Sequence, residues 1–120
     1  PGAGGTQLLP RLIGIAKARW MLLSGEIVDA QAAFEMGLLD RIVNRDDLSA
    51  EAFKIAALLA KKPPLSCKAV KKALLAREVL PFPDAMQEES RLFEKLCSTR
   101  DKEEGIRAFL EKRKPEFQGI

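Results

Sequence analysis

Few residues in this sequence have types and spacing suited to chemistry. The first set is the run Gly2-Ala3-Gly4-Gly5-Thr6-Gln7, which stands just before a helical pattern. Closely spaced glycines let backbone N–H groups approach a ligand, and the positive end of a helix dipole assists. Neither familiar phosphate motif fits. A P-loop closes on Gly-Lys-Ser/Thr, where this chain has Thr6-Gln7, and the dinucleotide pattern needs a third glycine where Gln7 stands. The same run also reads as a tight turn with positive φ. A second set is Lys61, Lys62, Lys68, Lys71 and Lys72, split by Pro63-Pro64 and spread around two helices. It reads as solvated helix surface in preference to a phosphate or nucleic-acid site. The acidic pairs Asp46-Asp47, Glu88-Glu89 and Glu103-Glu104 are adjacent in sequence, so their side chains diverge on a helix and make poor acid–base couples. Trp20 lies on the most apolar helical segment and reads as core, not as a stacking platform. Lys112-Arg113-Lys114 reads as a charged helix end favoured by the dipole.

Composition removes whole classes of activity. There is no His and no Tyr among the 120 residues, which excludes Ser-His-Asp and Cys-His catalysis within them and most zinc sites. No metal site is expected. Cys67 and Cys97 are the only cysteines, too few for a disulfide-stapled scaffold, and read as buried small hydrophobes in a reducing compartment. Twenty Lys and Arg face seventeen Asp and Glu, and the signs are interspersed, so the charge of +3 is no argument for nucleic acid. With 47% hydrophobic residues the chain is not disordered, and its length allows one compact domain at most. Apolar stretches are short and broken, so no segment is expected to span a bilayer. The sequence begins at Pro1-Gly2 without Met and with no readable leader. The expectation is a piece of a longer, cytoplasmic chain.

Elements that would position these residues are mostly helical. Thr6 to Ile13, closed by Gly14, reads as a short helix containing Pro10; Ile15 to Ser24, stopped by Gly25, reads as a largely buried one. Asp29 caps a helix through Met36, with Gly37 past its end. Leu38 to Val43 is the best strand candidate, and because a lone strand needs a partner it would attach to a sheet supplied elsewhere. Ser49 to Lys62 and Ser66 to Glu78 read as amphipathic helices either side of Pro63-Pro64. Asp84 with Gln87, and Asp101 with Glu104, read as capping boxes opening two more helices, the second with a Glu103–Arg107 ion pair. The first of these carries Met86, Leu92, Phe93 and Leu96 as its stripe; Ile106, Phe109 and Leu110 form the apolar side of the second. The reading is mostly α with one or two short strands.

Taken together, Pro1-Gly2-Ala3-Gly4-Gly5-Thr6-Gln7, Leu9-Pro10-Arg11 and Ile13-Gly14 resemble the central signature of the enoyl-CoA hydratase (crotonase) family. The likeness continues through Leu23-Ser24-Gly25, Ala30 to Ala33, Gly37-Leu38 and Val43. It closes with Asp101-Lys102-Glu103-Glu104-Gly105, Ala108-Phe109 and Glu111-Lys112-Arg113. The resemblance spans nearly the whole chain in one register. It implies the C-terminal helical region of the α/β crotonase (ClpP-like) fold, without the N-terminal spiral of ββα units. Residues 1–44 would be the end of the crotonase core and residues 45–120 a helical oligomerisation region.

The family hydrates trans-2-enoyl-CoA to 3-hydroxyacyl-CoA. The resemblance implies an oxyanion hole of two backbone N–H groups and two glutamates that activate water, all of them preceding the position of Pro1. What it carries onto this chain is Gly2, whose N–H would help hold the catalytic water. Phe93 would approach the adenine of a neighbouring subunit's CoA, and Lys112 the ribose phosphate. On the residues alone, Phe93 also reads as a core aromatic and Lys112 as a solvated helix end. No cofactor is implied beyond the coenzyme A thioester that is the substrate, and the implied partner is a second copy, in a trimer or hexamer, with no nucleic acid and no membrane. Other readings are a different crotonase reaction, such as isomerisation or decarboxylation, and a non-catalytic helical assembly module. RNA binding by a basic helix face is weaker.

Overall fold

The computed structural model describes residues 2–120. Seven α-helices account for most of them: α1 (Gly5–Ile13), α2 (Ile15–Ser24), α3 (Ala30–Met36), α4 (Leu48–Ala60), α5 (Pro64–Val79), α6 (Phe82–Cys97) and α7 (Arg100–Leu110), with a 3-10 turn at Arg45–Asp47. Two compact units result, Pro1–Ser49 and Ala50–Ile120, with the division in the first turn of α4.

In the first unit α1 and α2 pack as a pair. Ala3 (φ 51°) and Gly4 (φ 83°) both lie in the left-handed region, and Gly5 N–H donates to the Gly2 carbonyl at 3.0 Å. Positive φ at both central positions is the type I′ pattern, so the glycine run is a tight turn that launches α1. The boundaries of α2 and α3 are those read from the sequence. Gly25 (φ 66°) and Gly37 (φ 85°) end them in a left-handed conformation, and Asp29 Oδ1 accepts from Ala32 N–H at 2.8 Å.

Burial is where the first unit departs from expectation. Only Ile13, Ala18 and Ala33 are buried in its helices. Leu8, Leu12, Ile15 and Leu23 stand exposed, and so does Trp20, at 63%, with its indole N–H donating to Glu26 Oε2 at 3.2 Å. The expected burial of α2 and Trp20 is therefore not met, because no described residue of the first unit covers them. Leu38–Val43 forms no strand for the same reason. A strand exists only by pairing, and no strand occurs among the described residues to pair with it.

In the second unit α5 and α6 pack against each other. Ala69 and Ala76 on α5 and Leu92 on α6 are buried, methyl-sized side chains on one helix letting the backbones approach. Pro63 and Pro81 precede α5 and α6, which take Pro64 at their first and Pro83 at their second position, where a missing N–H removes no helical bond. Asp84 consequently sits inside the first turn of α6 and is not its cap. Cys67 is half-buried and Cys97 exposed, both as free thiols, so neither is the buried hydrophobe expected.

The most densely bonded feature of this unit is a clamp between α7 and the last residues. Thr99 is the N-cap of α7, its Oγ1 accepting from Lys102 N–H at 3.2 Å. That leaves Asp101, only 5% exposed, free for another task. Its two oxygens accept from Gln118 N–H (2.7 Å) and Gly119 N–H (2.9 Å). Arg100 N–H in turn donates to the Ile120 oxygen at 2.9 Å. One turn on, Glu104 takes both terminal nitrogens of Arg113 (2.6 and 2.8 Å) and the Glu116 N–H (2.9 Å). Glu104, and not Glu103, is thus the paired acid, and the expected Glu103–Arg107 pair does not form. Where the tail passes α5, a Cβ on Gly119 (φ 76°) would lie 3.3 Å from Pro64 Cγ. A side chain there would be strained by the positive φ and would press on Pro64.

The clamp is testable at each carboxylate. Asp101→Asn keeps the shape but turns one acceptor into a donor facing a backbone N–H, and should lower stability by about 2 kcal/mol in chemical denaturation. Hydrogen bonds from Arg113 and then Glu116 hold the Glu104 carboxyl down to about 2 from its ordinary 4.5. A depressed pKa means the contribution of Glu104 is complete above pH 4.5 and is lost as pH falls towards 2. Relative to its intrinsic rate at each pH, NMR hydrogen exchange at the Glu116 N–H should therefore speed up across that window in the wild type. In Glu104→Gln it should be fast already at neutral pH.

Candidate functional site

Phe93 does not enter the core. Leu92 takes the buried position on α6, and Phe93 is 68% exposed on a groove formed by α6 and α7, with Pro63 and Ser66 at one side and Phe117 of the tail at another. The groove has a volume of about 560 Å³, within the range of small-molecule sites. Phe109, 82% exposed, lines it from α7, and Ile106 and Leu110 add aliphatic surface. Two exposed phenyl rings on one apolar groove can stack a flat heteroaromatic group, a contact worth roughly 1–3 kcal/mol per base. Lys102 is the sole cation among the lining residues, and Asp101 the sole acid. The Asp101 oxygens are already taken by the tail. The groove is therefore suited to a planar ring with negative charge nearby. Beside the committed Asp101 carboxylate, its polar side chains are Ser66, Cys97 and Lys102.

Phe109 and Lys102 went unrecognised as groove residues in the sequence. The apolar stripe of α7 includes Phe109, but its period cannot say whether a stripe faces core or solvent. The placement of Phe117 also depends on the tail clamp, for which no sequence motif exists.

Lys112 is not on the groove. It lies just beyond α7 in the left-handed region (φ 54°), where its N–H donates to the Phe109 carbonyl (3.3 Å) and Arg113 N–H to the Ala108 carbonyl (3.0 Å). These two bonds are the Schellman motif, whose left-handed position is usually glycine. A lysine there carries backbone strain of about 1 kcal/mol. Gly2 belongs to the other compact unit, ahead of α1; it is exposed, and a Cβ on it would meet nothing within 4 Å. Among the described residues no group of three or more His, Cys, Asp or Glu could hold a metal ion. Among the described residues no helix is long and apolar enough to cross a membrane.

Residues 1–119 match the family model described as enoyl-CoA hydratase/isomerase. The chain is 40% identical over 119 residues to a 2,3-dehydroadipyl-CoA hydratase of Escherichia coli, covering 99% of this chain and 47% of that one. It is 38% identical over 117 residues to a crotonyl-CoA hydratase of Syntrophomonas wolfei, covering 98% and 45%. Among solved structures, an enoyl-CoA hydratase from Bacillus anthracis matches all of this chain and 46% of its own, with a TM-score of 0.97 and 37% identity. One from Geobacillus kaustophilus matches all of it and 47% of its own, with a TM-score of 0.94 and 41% identity. The chain thus spans about half the length of the curated relatives it matches.

The strain at Lys112 gives a direct test of its conformation. Lys112→Gly should raise the thermal midpoint by a few degrees, corresponding to about 1 kcal/mol, although it removes a charge and no bond to a neighbour is gained. A midpoint unchanged or lowered would show that the left-handed turn is not where this residue sits.

Proposed function

The chain belongs to the enoyl-CoA hydratase/isomerase family, and on that premise we propose that it supplies the C-terminal portion of a lyase subunit that adds water across trans-2-enoyl-CoA to give 3-hydroxyacyl-CoA. The observation that carries this reading is the unbroken match of residues 1–119, at 37–41% identity in two solved hydratases and with nearly superposable backbones. The substrate belongs to short- or medium-chain acyl-CoA degradation, in the cytoplasm.

In that reaction the thioester carbonyl becomes an enolate, and preorganised N–H groups stabilise the charge as it develops. The glutamates and the oxyanion hole of the family precede the segment matched here, so the described residues bind and orient. Gly2 brings a bare backbone close to the attacking water, and its glycine identity is demanded by no neighbour in this chain. Phe93 stacks on the adenine of CoA, with Phe109 as the second wall of the same groove. Lys112, its ammonium held past the end of α7, meets the ribose phosphate. Such contacts lie far from the reacting carbons. Their binding energy positions the thioester, and it appears in kcat only to the extent that the transition state uses it. Residues 1–44 close the catalytic core. Residues 45–120, with their exposed apolar helix faces, join copies into a trimer or hexamer and present Phe93 to a neighbouring copy.

The family description also covers isomerases, and the product separates the two: hydration gives a 3-hydroxyacyl thioester, isomerisation a shifted double bond. The reading predicts that the purified 120-residue chain leaves the enoyl absorbance of crotonyl-CoA unchanged. In an enzyme assembled with the remaining half, Phe93→Ala should raise KM about tenfold, the equivalent of one lost stacking contact, with kcat changed far less. Turnover by the chain alone, or a Phe93→Ala loss confined to kcat, would contradict it.

A further inference from the structure

Four of the five lysines that the sequence spreads over two helices meet around one groove. Lys62, Lys68, Lys71 and Lys72 surround a groove of about 580 Å³ where the end of α4 faces the first half of α5, with Leu59 and Leu75 among its apolar lining. Lys61 is not part of it. The reading of this set as scattered surface charge is therefore incomplete. The i, i+3 and i+4 spacing of Lys68, Lys71 and Lys72 puts like charges side by side on α5, an arrangement that destabilises a helix unless a counter-charge relieves it.

No counter-charge is present. None of the four ammonium groups has a carboxylate within ion-pair distance among the described residues, and no acidic side chain lines the groove. The lining surface is otherwise aliphatic, contributed by leucine, alanine, proline and the stems of the lysines. Cys67, half-buried, also borders it. The N-terminal turn of α5 adds the positive end of its dipole.

We propose that this groove binds a phosphorylated amphiphile, a molecule with a slender apolar arm ended by a phosphate or pyrophosphate. A single carboxylate would leave most of the positive charge unmatched, whereas a phosphate monoester brings close to two negative charges and three acceptor oxygens. Lysine meets phosphate as a mobile point charge, and several lysines on flexible stems can converge on one group from a rim. The apolar arm fills the aliphatic part of the groove. Neither half of such a ligand accounts for the groove alone: inorganic phosphate leaves the apolar surface wet, and an alcohol leaves the ammonium groups unpaired.

The test is calorimetric titration of the whole 120-residue chain with n-octyl phosphate at low salt, beside 1-octanol and inorganic phosphate. Octyl phosphate should bind about tenfold or more tightly than either control, and added salt should weaken it. The triple variant Lys68→Gln, Lys71→Gln, Lys72→Gln should bind it about tenfold or more weakly, with an unchanged circular dichroism spectrum, because Gln and Lys have similar helix propensity. A readout independent of that variant is alkylation of Cys67 by iodoacetamide in a Cys97→Ser background, which octyl phosphate should slow. Displacement by hexanoyl-CoA would assign the groove to acyl thioesters, and displacement by lysophosphatidic acid alone would assign it to lipid phosphates; either supports the site. Equal binding of octyl phosphate by wild type and triple variant, no advantage over the controls, or unprotected Cys67 would overturn it.

Discussion

The structure rests on an imbalance: this chain carries far more apolar helix surface than it can bury by itself. Fully burying a Leu or Phe side chain contributes about 1.5–3 kcal/mol, and small domains fold on a handful of such burials. Here the buried hydrophobic positions are Ile13, Leu92 and five alanines, while Leu12, Trp20, Leu23, Phe53 and Phe109 face outward. Exposed apolar surface on that scale marks surfaces made to be covered. It explains why helix boundaries follow local signals so closely while burial does not. A cap or a left-handed glycine acts within a few residues, but burial needs a partner.

Against that background, the second unit holds its shape by polar means. Asp101 and Glu104, one turn apart on α7, accept hydrogen bonds from the backbone of the last residues and from Arg113. A buried carboxylate is tolerable only when its oxygens are satisfied, and Asp101 meets that condition with two N–H groups. The clamp fixes the tail, the tail sets Phe117, and Phe117 forms one side of the groove that displays Phe93 and Phe109. Ionic and backbone bonds thus do locally what a larger core would do elsewhere.

Much of the architecture is legible in the sequence, and the reasons are specific. Gly25, Gly37 and Asp29 mark helix ends because each satisfies orphan backbone groups or adopts a conformation others avoid. The misread caps are equally instructive. Asp84 and Asp101 fit the capping-box spacing, but Pro81 and Thr99 open those helices two or three residues earlier. The expected strand at Leu38–Val43 and the expected burial of Trp20 are both absent, because each depends on what packs against the segment and local pattern does not carry that. Of the site residues, Phe93 proved to be exposed on a groove, while its companions Phe109 and Lys102 emerged only when the helices were placed. Lys112 lies outside that groove, in a turn whose left-handed geometry no propensity for lysine would suggest. The lysine cluster is the plainest case, since four side chains from a turn and a helix face share one rim despite the prolines between them.

The central claim, that this chain exposes more apolar helix surface than it buries, and with it the proposed joining of copies through those faces, is tested most directly by sedimentation velocity of the purified 120 residues in the presence of the dye ANS, which brightens on exposed apolar surface. The account predicts bright dye binding at low protein concentration, giving way to dimmer, associated species as concentration rises. A monomer at every concentration that leaves the dye dark would contradict it.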